Sequence, residues 1–248
     1  MSFFWIYLAI SCLCCLFYSY IISGALQSWK LLPLWEAPAG FEPRTTISVI
    51  IPARNEEVNI LACLQSIRSQ SYPKDLFEII VIDDHSTDRT PEILYSLQQK
   101  YAGIKFLKLV DFVKDEPLNS YKKKALEIGI AQAWGELIIT TDADCIAPHD
   151  WLLLHASLYE LKHAKCIAAP VNFHQEQNLL ERFQSLDYAG MMLLTGAGIH
   201  ARTMRMSNGA NLAYAKNIFN KVNGFHDINH LASGDDMLLV QKIAAQYP

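Results

Sequence analysis

The chain has 248 residues, a formal net charge of −4 and a hydrophobic fraction of 51%. This length fits one large α/β domain or two small ones. The nearly balanced charge argues against a broad basic surface, so we expect no nucleic-acid partner. The hydrophobic fraction lies at the upper edge of the soluble range. Its excess is concentrated at the start of the chain.

Residues 3–22 are an uncharged apolar run, long enough to cross a hydrocarbon core of about 30 Å. A cleaved signal peptide is the competing interpretation, but it usually has a basic segment before a shorter apolar run. Here no basic residue precedes the run, whereas Lys30 and Arg44 follow it, which favours a membrane protein whose main domain is cytoplasmic. We predict a transmembrane helix over residues 1–24, a juxtamembrane linker over 25–46 and this main domain over 47–248.

Beyond residue 46, apolar runs alternate with amphipathic segments. The predicted strands are 47–51, which Pro52 stops, 78–82, 104–109, 137–141 and 166–171. The predicted helices are 56–70, one from about Thr90, 122–134, 150–162, 176–194 and 237–246, with Ser86 or Thr87 capping the second and Ser233 the last. This alternation predicts an α/β fold, with a mostly parallel sheet flanked by helices.

Polar clusters follow three of these strands. Residues 54–56 (Arg-Asn-Glu) come after the first strand, Asp83 and Asp84 after the second, and Asp142 and Asp144 after the fourth. In such sheets the ligand site lies beyond the carboxyl ends of the strands. Side chains two apart on an extended backbone point the same way, so Asp142 and Asp144 face one site. Two like charges there favour a bound cation.

Six motifs in order resemble one family, the family 2 glycosyltransferases of the GT-A fold. They are VIIPARNEE at 49–57, VIDDHSTD at 81–88, KKKAL at 122–126, DAD at 142–144, NGAN at 208–211 and GDD at 234–236. Each motif is loose alone, but the ordered set is specific, and it covers about residues 46–247. The subgroup that it most resembles is the membrane-tethered bacterial type that includes polysaccharide synthases.

This resemblance implies inverting, metal-dependent transfer of a sugar from a nucleotide-diphospho-sugar, expected to be UDP-linked, to a saccharide or lipid-linked acceptor. Mg²⁺ or Mn²⁺ would neutralise the leaving diphosphate. The implied donor-binding residues are Pro52, Ala53, Glu56, Asp84, Lys122 and Asp142. The implied metal ligands are Asp144, the more direct one, and Asp142, for which a role limited to capping the following turn stays open.

On the acceptor side, the resemblance implies Asp236 as the base that deprotonates the attacking hydroxyl. Asp235 replaces the Glu that many relatives carry, and it is assigned to acceptor binding or to positioning the helix. Gly209 and Asn211 are assigned to the acceptor side, with ordinary loop geometry as the alternative. Lys123 and Lys124 are expected on a solvated helix face.

Two other functions compete with this one. A nucleotidyltransferase is disfavoured, because residues 52–57 are acidic and glycine-free where a triphosphate-binding loop is usually glycine-rich and basic. A non-catalytic, membrane-anchored nucleotide-sugar-binding or scaffold protein remains an alternative. Processive family members carry a Gln-x-x-Arg-Trp motif after the base, which this sequence lacks. We therefore expect a C-terminus truncated relative to such synthases.

Overall fold

The computed structural model describes residues 2–113, 119–231 and 233–247. Its residues form two compact units. The first unit combines the chain up to Leu34 with residues 170–206. The second combines residues 35–169 with the chain from Ser207 onward, and it contains all of the predicted site residues.

The predicted helices and strands occur in the expected order, and the structure adds one strand and one helix between residues 212 and 221. They are α1 (Ser2–Leu31), β1 (Ile47–Ala53), α2 (Ile60–Arg68), β2 (Phe77–Asp83), α3 (Thr90–Lys100), β3 (Ile104–Lys108), α4 (Tyr121–Gln132), β4 (Leu137–Thr140), α5 (Trp151–Lys162), β5 (Cys166–Ala168), α6 (Leu179–His200), β6 (Leu212–Ala215), α7 (Lys216–Lys221) and α8 (Met237–Gln246). Short 3₁₀ turns cover Leu109–Asp111 and Gly209–Asn211.

The strands form one six-stranded sheet in the order β3-β2-β1-β4-β6-β5. Strands β3, β2, β1 and β4 are mutually parallel, and β6 runs antiparallel to both of its neighbours. At the centre of the sheet, Ile50 lies opposite Ile80 on β2 and Thr140 on β4. The predicted α/β fold with a mostly parallel sheet is confirmed.

The apolar side chains of β1 divide between two cores because successive residues of a strand point to opposite faces. Val49 and Ile51 pack in one buried cluster with residues of α2, α3 and α5. Ile50 packs in the other cluster with residues of α4, α7 and α8. Helices therefore cover both faces, which explains why the central strands are continuous apolar runs.

A buried polar network closes the amino-terminal end of the parallel strands. Ser48 Oγ donates to Glu78 Oε1 at 2.7 Å, and the Gly135 N–H donates to Ser48 Oγ at 2.8 Å. Glu78 Oε1 also accepts from the Trp134 N–H at 2.7 Å, and Lys105 Nζ lies 3.8 Å from Glu78 Oε2. These partners satisfy a carboxylate that would be costly to bury alone. They also tie β1, β2 and the entry to β4 together.

In the first unit, helix α1 continues to Leu31, beyond the apolar run that predicted it. Phe3–Leu31 is the one helix among the described residues that is long and apolar enough to cross a membrane. Helix α6 belongs to the same unit, and a Cβ added at Gly196 would lie 2.6 Å from the Trp29 ring. The small residue thus permits close contact between α6 and the end of α1. The proposed limits of the membrane segment, linker and catalytic domain stay a prediction.

Several local predictions were wrong. Pro52 does not stop β1. It lies opposite Ile82 of β2, but β1 pairs with β4 only up to Ile50, and a proline is tolerated where one side of a strand has no neighbour to receive an N–H. Ser86 and Thr87 do not cap α3; instead Asp88 Oδ1 accepts from the Thr90 N–H at 2.9 Å.

The cap of the last helix is also different from the prediction. Ser233 does not cap α8, because Asp236 is the capping residue and its Oδ1 accepts from the Met237 N–H at 2.6 Å. The predicted helix boundaries, 237 and 246, agree with the structure. Asp236, assigned from sequence to catalysis alone, therefore also has a structural contact.

We predict that Gly135→Ala destabilises the fold strongly. A Cβ there would overlap the backbone nitrogen of Ser48, which cannot move without breaking the polar network. Overpacking of this kind typically costs about 1–3 kcal/mol. Thermal unfolding measures the effect, and Gly103→Ala is the matched control, since a Cβ at Gly103 meets nothing within 4 Å. Equal melting temperatures for the two variants would contradict this account of the network.

Candidate active site

The carboxyl ends of β1, β2 and β4 meet at one edge of the sheet. The Asp84 N–H donates to the Ala53 carbonyl at 2.8 Å, joining the segment after β2 to the end of β1. The Thr141 N–H donates to the Ile50 carbonyl at 3.3 Å, which places the segment after β4 alongside. The structure therefore brings the three polar clusters of the sequence to the same edge.

The loop after β1 is held by the loop after β2. The Asn55 N–H donates to Ser86 Oγ at 2.9 Å, and Asn55 Oδ1 accepts from the Thr87 N–H at 2.8 Å. Asn55 has a positive φ of 57°, which asparagine tolerates better than most residues. The Glu56 N–H donates to Thr90 Oγ1 at 2.8 Å. This fixed backbone presents the half-buried side chains of Pro52 and Glu56, whereas Ala53 is buried.

Asp84 lies at the centre of a group of side chains beyond β2. Its side chain is 11% exposed, its Oδ1 lies 2.8 Å from His85 Nδ1, and its Oδ2 lies 3.9 Å from Arg54 Nη1. The His85 ring stands edge-on to Tyr121, with ring centroids 5.5 Å apart. No role was predicted from sequence for His85 or Tyr121. Their place in the sequence could have pointed to the site, because His85 directly follows Asp84 and Tyr121 directly precedes Lys122.

The two carboxylates after β4 have different surroundings. Asp142 is 37% exposed at its side chain, and its Oδ1 accepts from Lys122 Nζ at 2.8 Å. The following turn is closed by the Asp142 backbone carbonyl, which accepts from the Cys145 N–H at 3.2 Å. Asp144 is exposed. The side chain of Asp142 thus contacts Lys122, while its backbone closes the turn.

Cys63, buried beneath this turn, is not a nucleophile. Burial raises the pKa of its thiol to about 12, and the nearby Cys145 and Asp144 add to the shift. Its Sγ lies 3.7 Å from the Asp142 carbonyl. A thiol with such a pKa stays protonated at neutral pH, and only the thiolate is strongly nucleophilic.

Lys122 connects the Asp142 carboxylate with the acidic pair before α8. Its Nζ lies 2.8 Å from Asp142 Oδ1 and 4.0 Å from Asp235 Oδ2. Desolvation opposes the charge of Lys122, but the carboxylates of Asp142 and Asp235 outweigh it, and the pKa of Lys122 is raised. The ammonium therefore stays charged between the two acidic groups.

Asp236 is oriented by backbone groups from two segments. Its Oδ2 accepts from the Gly209 N–H at 3.0 Å, and its Oδ1 accepts from the Met237 N–H at 2.6 Å. Each carboxylate oxygen can accept more than one hydrogen bond, so both retain capacity. Thr140 Oγ1 donates to the Gly209 carbonyl at 2.7 Å, which ties this arrangement to the end of β4.

Asp235 and Asn211 complete the candidate acceptor side. The Asp235 side chain is 15% exposed, and burial raises its pKa even though Lys122 acts in the opposite direction. Asn211 Oδ1 accepts from Trp151 Nε1 at 2.9 Å. That contact joins the turn before β6 to α5, as the loop-geometry alternative for Asn211 expects. Its role toward an acceptor stays a prediction.

The solvated face predicted for Lys123 was wrong. Its side chain is buried, and its Nζ donates to the backbone carbonyls of Ile228 at 2.8 Å, Leu231 at 2.8 Å and Ser233 at 2.7 Å. Lys124 is only half-buried, and its Nζ lies 2.8 Å from Glu127 Oε2. Two neighbouring lysines of one helix thus have opposite surroundings.

The carboxylates of Asp142 and Asp144 suit a divalent cation whose remaining ligands come from a substrate and water. Among residues 2–113, 119–231 and 233–247, no group of three or more His, Cys, Asp or Glu side chains could hold a metal ion. Mg²⁺ typically takes one or two carboxylates and completes its shell with substrate phosphates and water. Asp142 and Asp144 match that requirement. Asp144 is the more available of the two, because Asp142 is paired with Lys122.

A mostly parallel sheet flanked by helices, with polar clusters beyond the carboxyl ends of its strands, is the architecture expected of a GT-A glycosyltransferase. The chain belongs to glycosyl transferase family 2, whose sequence profile matches residues 48–222. Both the family and the fold inferred from the ordered motifs are confirmed.

Two curated relatives and one solved structure illustrate the similarity. The probable glycosyltransferase YdaM of Bacillus subtilis is 28% identical over 221 residues, covering 86% of this chain and 51% of the relative. Glycosyltransferase AglE of Haloferax volcanii is 31% identical over 193 residues, covering 77% and 59%. This chain therefore spans little more than half the length of these relatives.

The solved structure is the mannosyltransferase PcManGT of Pyrobaculum calidifontis, in complex with GDP-Man and Mn²⁺. It matches with a TM-score of 0.67 at 23% identity, covering 94% of this chain and 63% of the other. At that identity the match shows a shared fold.

The raised pKa of Asp235 predicts a pH-dependent effect of Asp235→Asn on stability. A carboxyl whose folded pKa lies above its unfolded value loses stabilising free energy as pH rises from the unfolded pKa through the folded one. The variant removes that loss, so we expect it to unfold at a higher temperature than the wild type at neutral pH. The difference should shrink as pH falls and vanish below an ordinary Asp pKa of about 4, where the carboxyl is protonated in both the folded and the unfolded chain. A constant difference across that range would contradict the assignment.

Proposed function

We propose that this protein is an inverting, metal-dependent glycosyltransferase that moves a sugar from a nucleotide-diphospho-sugar to a saccharide or lipid-linked acceptor. The observation that carries the proposal is the position of Lys122 between Asp142, at 2.8 Å, and Asp235, at 4.0 Å. A donor-side acid and an acceptor-side acid thus lie within reach of one ammonium. A transferase needs that proximity, because both substrates must meet at the anomeric carbon.

On the donor side, Pro52, Ala53, Glu56 and Asp84 would hold the base and ribose. The buried carboxylate of Asp84 is suited to accept hydrogen bonds from a pyrimidine, so we propose a UDP-linked donor. The edge-on rings of His85 and Tyr121 offer an aromatic surface beside it.

The diphosphate would lie between Lys122 and the Asp142–Asp144 pair. Mg²⁺ or Mn²⁺, held by Asp144 and Asp142, would supply positive charge to the leaving diphosphate. Lys122 contributes its own positive charge at the same place, and its raised pKa keeps it protonated. The structural neighbour PcManGT was solved in complex with GDP-Man and Mn²⁺, which supports a nucleotide-sugar donor and a divalent cation here.

Asp236 would accept the proton of the acceptor hydroxyl as that oxygen attacks the anomeric carbon. Backbone donors from Gly209 and Met237 fix its carboxylate, so little reorganisation is needed when the acceptor arrives. Asp235 would stay paired with Lys122 and orient the acceptor beside the base, with Gly209 and Asn211 shaping that side.

The apolar helix α1 would tether the enzyme to a membrane, with the catalytic residues on the cytoplasmic side. Its span over Phe3–Leu31 supports the tether, and Lys30 near its end supports the orientation. A tethered domain has ready access to lipid-linked acceptors in the same membrane.

We predict that Asp144→Ala and Asp236→Ala both abolish transfer but through different steps. Loss of a general base typically costs about 10²- to 10⁴-fold in rate, so Asp236→Ala should lower kcat while nucleotide binding persists. In Asp144→Ala, by contrast, Mn²⁺ should no longer increase the affinity for the nucleotide. Calorimetry with UDP or GDP in the presence of Mn²⁺ measures nucleotide binding. An assay for nucleoside diphosphate released from a panel of nucleotide-sugars measures turnover, so together they separate the binding defect from the rate defect. Retained turnover in both variants would exclude the proposed site, and binding without wild-type turnover would favour the non-catalytic alternative.

We also predict that Lys122→Met weakens nucleoside diphosphate binding, because it removes the ammonium that lies between Asp142 and Asp235. Lys124→Met is the matched control, since Lys124 pairs with Glu127 away from these acids. Binding of UDP should weaken more than binding of uridine. Equal effects of the two lysine substitutions would argue against a diphosphate contact.

A further inference from the structure

We propose that Lys123 is a positioning residue that holds the acidic pair Asp235 and Asp236 in its working geometry through the backbone just before it. This inference rests on the proposed function in one respect, the assignment of Asp236 as the base. Lys123 contacts no reacting group itself. It acts through the carbonyls of Ile228, Leu231 and Ser233, which are called the carbonyl triad below.

Lys123 has as many N–H donors as the carbonyl triad has acceptors. An ammonium has three N–H donors, and the three carbonyl oxygens lie 2.8, 2.8 and 2.7 Å from Nζ. Hydrogen bonds from a charged donor are stronger than neutral ones. The Lys123 side chain is 2% exposed, so water cannot readily replace any of the three. A side chain placed in this way determines the local path of the backbone that it contacts.

The triad ends at Ser233, two residues before Asp235. Gly234 makes the intervening turn with a positive φ of 82°, and a Cβ there would lie 2.8 Å from Leu238 Cδ1. The direction in which the chain leaves Ser233 therefore sets where Asp235 and Asp236 lie. Fixing the Ser233 carbonyl fixes the start of that turn.

Helix α4 supplies the rigid base for this contact. Its buried residues Ala125 and Leu126 pack in the core beneath β1 and β2, and Ser120 Oγ accepts from the Lys123 N–H at its start. Adjacent helix residues point about 100° apart. Lys122 accordingly faces Asp142 and Asp235, while Lys123 faces the triad.

Helix α4 therefore contacts both sides of the proposed site. Lys122 contacts the donor-side acid, and Lys123 holds the segment that carries the base. The carboxylates of Asp235 and Asp236 also favour the charged form of Lys123, against the desolvation that lowers its pKa. One helix thus sets the distance between the donor site and the base.

The test compares Lys123→Met, Lys123→Arg and the control Lys124→Met in the full chain. Methionine keeps the length of the side chain but removes the ammonium, whereas arginine retains charge and donors. A misplacement of about 1 Å in a reacting group can cost about 10²-fold in rate. We expect Lys123→Met to lower kcat by about that factor with the donor KM nearly unchanged, Lys123→Arg to recover much of the loss, and Lys124→Met to match the wild type.

Hydrogen exchange gives a readout that needs no turnover. In Lys123→Met, amides of residues 228–231 and 233–237 should exchange at least about tenfold faster, because their segment has lost its anchor. Amides of β1, β2 and β4 should be unchanged, and UDP binding in the presence of Mn²⁺ should persist. If the wild type shows no transfer at all, the proposed function fails, while this local change still decides the role of Lys123.

Three results would overturn the inference. One is equal kcat for Lys123→Met and Lys124→Met. Another is equal kcat for Lys123→Met and Lys123→Arg, which would mean that charge and hydrogen-bond donors at this position do not restore the rate. The third is faster exchange throughout the sheet, or loss of folding in both Lys123 variants, which would make Lys123 a residue of the general fold.

Discussion

The convergence of carboxylates at one end of a parallel sheet is the constraint on which the rest of the site depends. Asp142 and Asp235 come from distant parts of the sequence, and their charges repel one another. The ammonium of Lys122, 2.8 Å from the first and 4.0 Å from the second, compensates this repulsion. A diphosphate and its cation would bring further charge to the same place. Binding of the diphosphate and its cation would therefore replace some of the contacts between Lys122 and the carboxylates with new ionic contacts, and it would leave no charge buried without a partner.

The opposite end of the strands has the contrasting chemistry. Glu78 is buried there, and its Oε1 accepts hydrogen bonds from Ser48 Oγ and the Trp134 N–H, while the Gly135 N–H donates to Ser48 Oγ. Stability and binding are thus assigned to different ends of the same strands. Substitutions such as Gly135→Ala should act on stability, whereas those around Lys122 should act on ligands, because the two sets of contacts share no residue.

The sequence was sufficient to predict β1 to β5 and the position of Asp84 and Asp142 at one edge of the sheet, because both acids follow a recognisable apolar strand, but it did not predict β6. It was not sufficient for Lys123. Three consecutive lysines look alike in a sequence, and only the phase of α4 against the chain near Ser233 shows which of them is buried. The cap of α8 was missed for a related reason. Ser233 and Asp236 both suit that position, and the choice depends on the turn at Gly234.

Under the proposed function, Asp236 would both cap α8 and act as the base. As the cap of α8 it must hold the Met237 N–H, and it also holds the Gly209 N–H on the far side. Under the proposed mechanism, the hydrogen bonds that begin α8 would also orient the base. The contacts of Lys123 with the carbonyl triad would hold the start of α8 and the base at a fixed distance from the sugar donor.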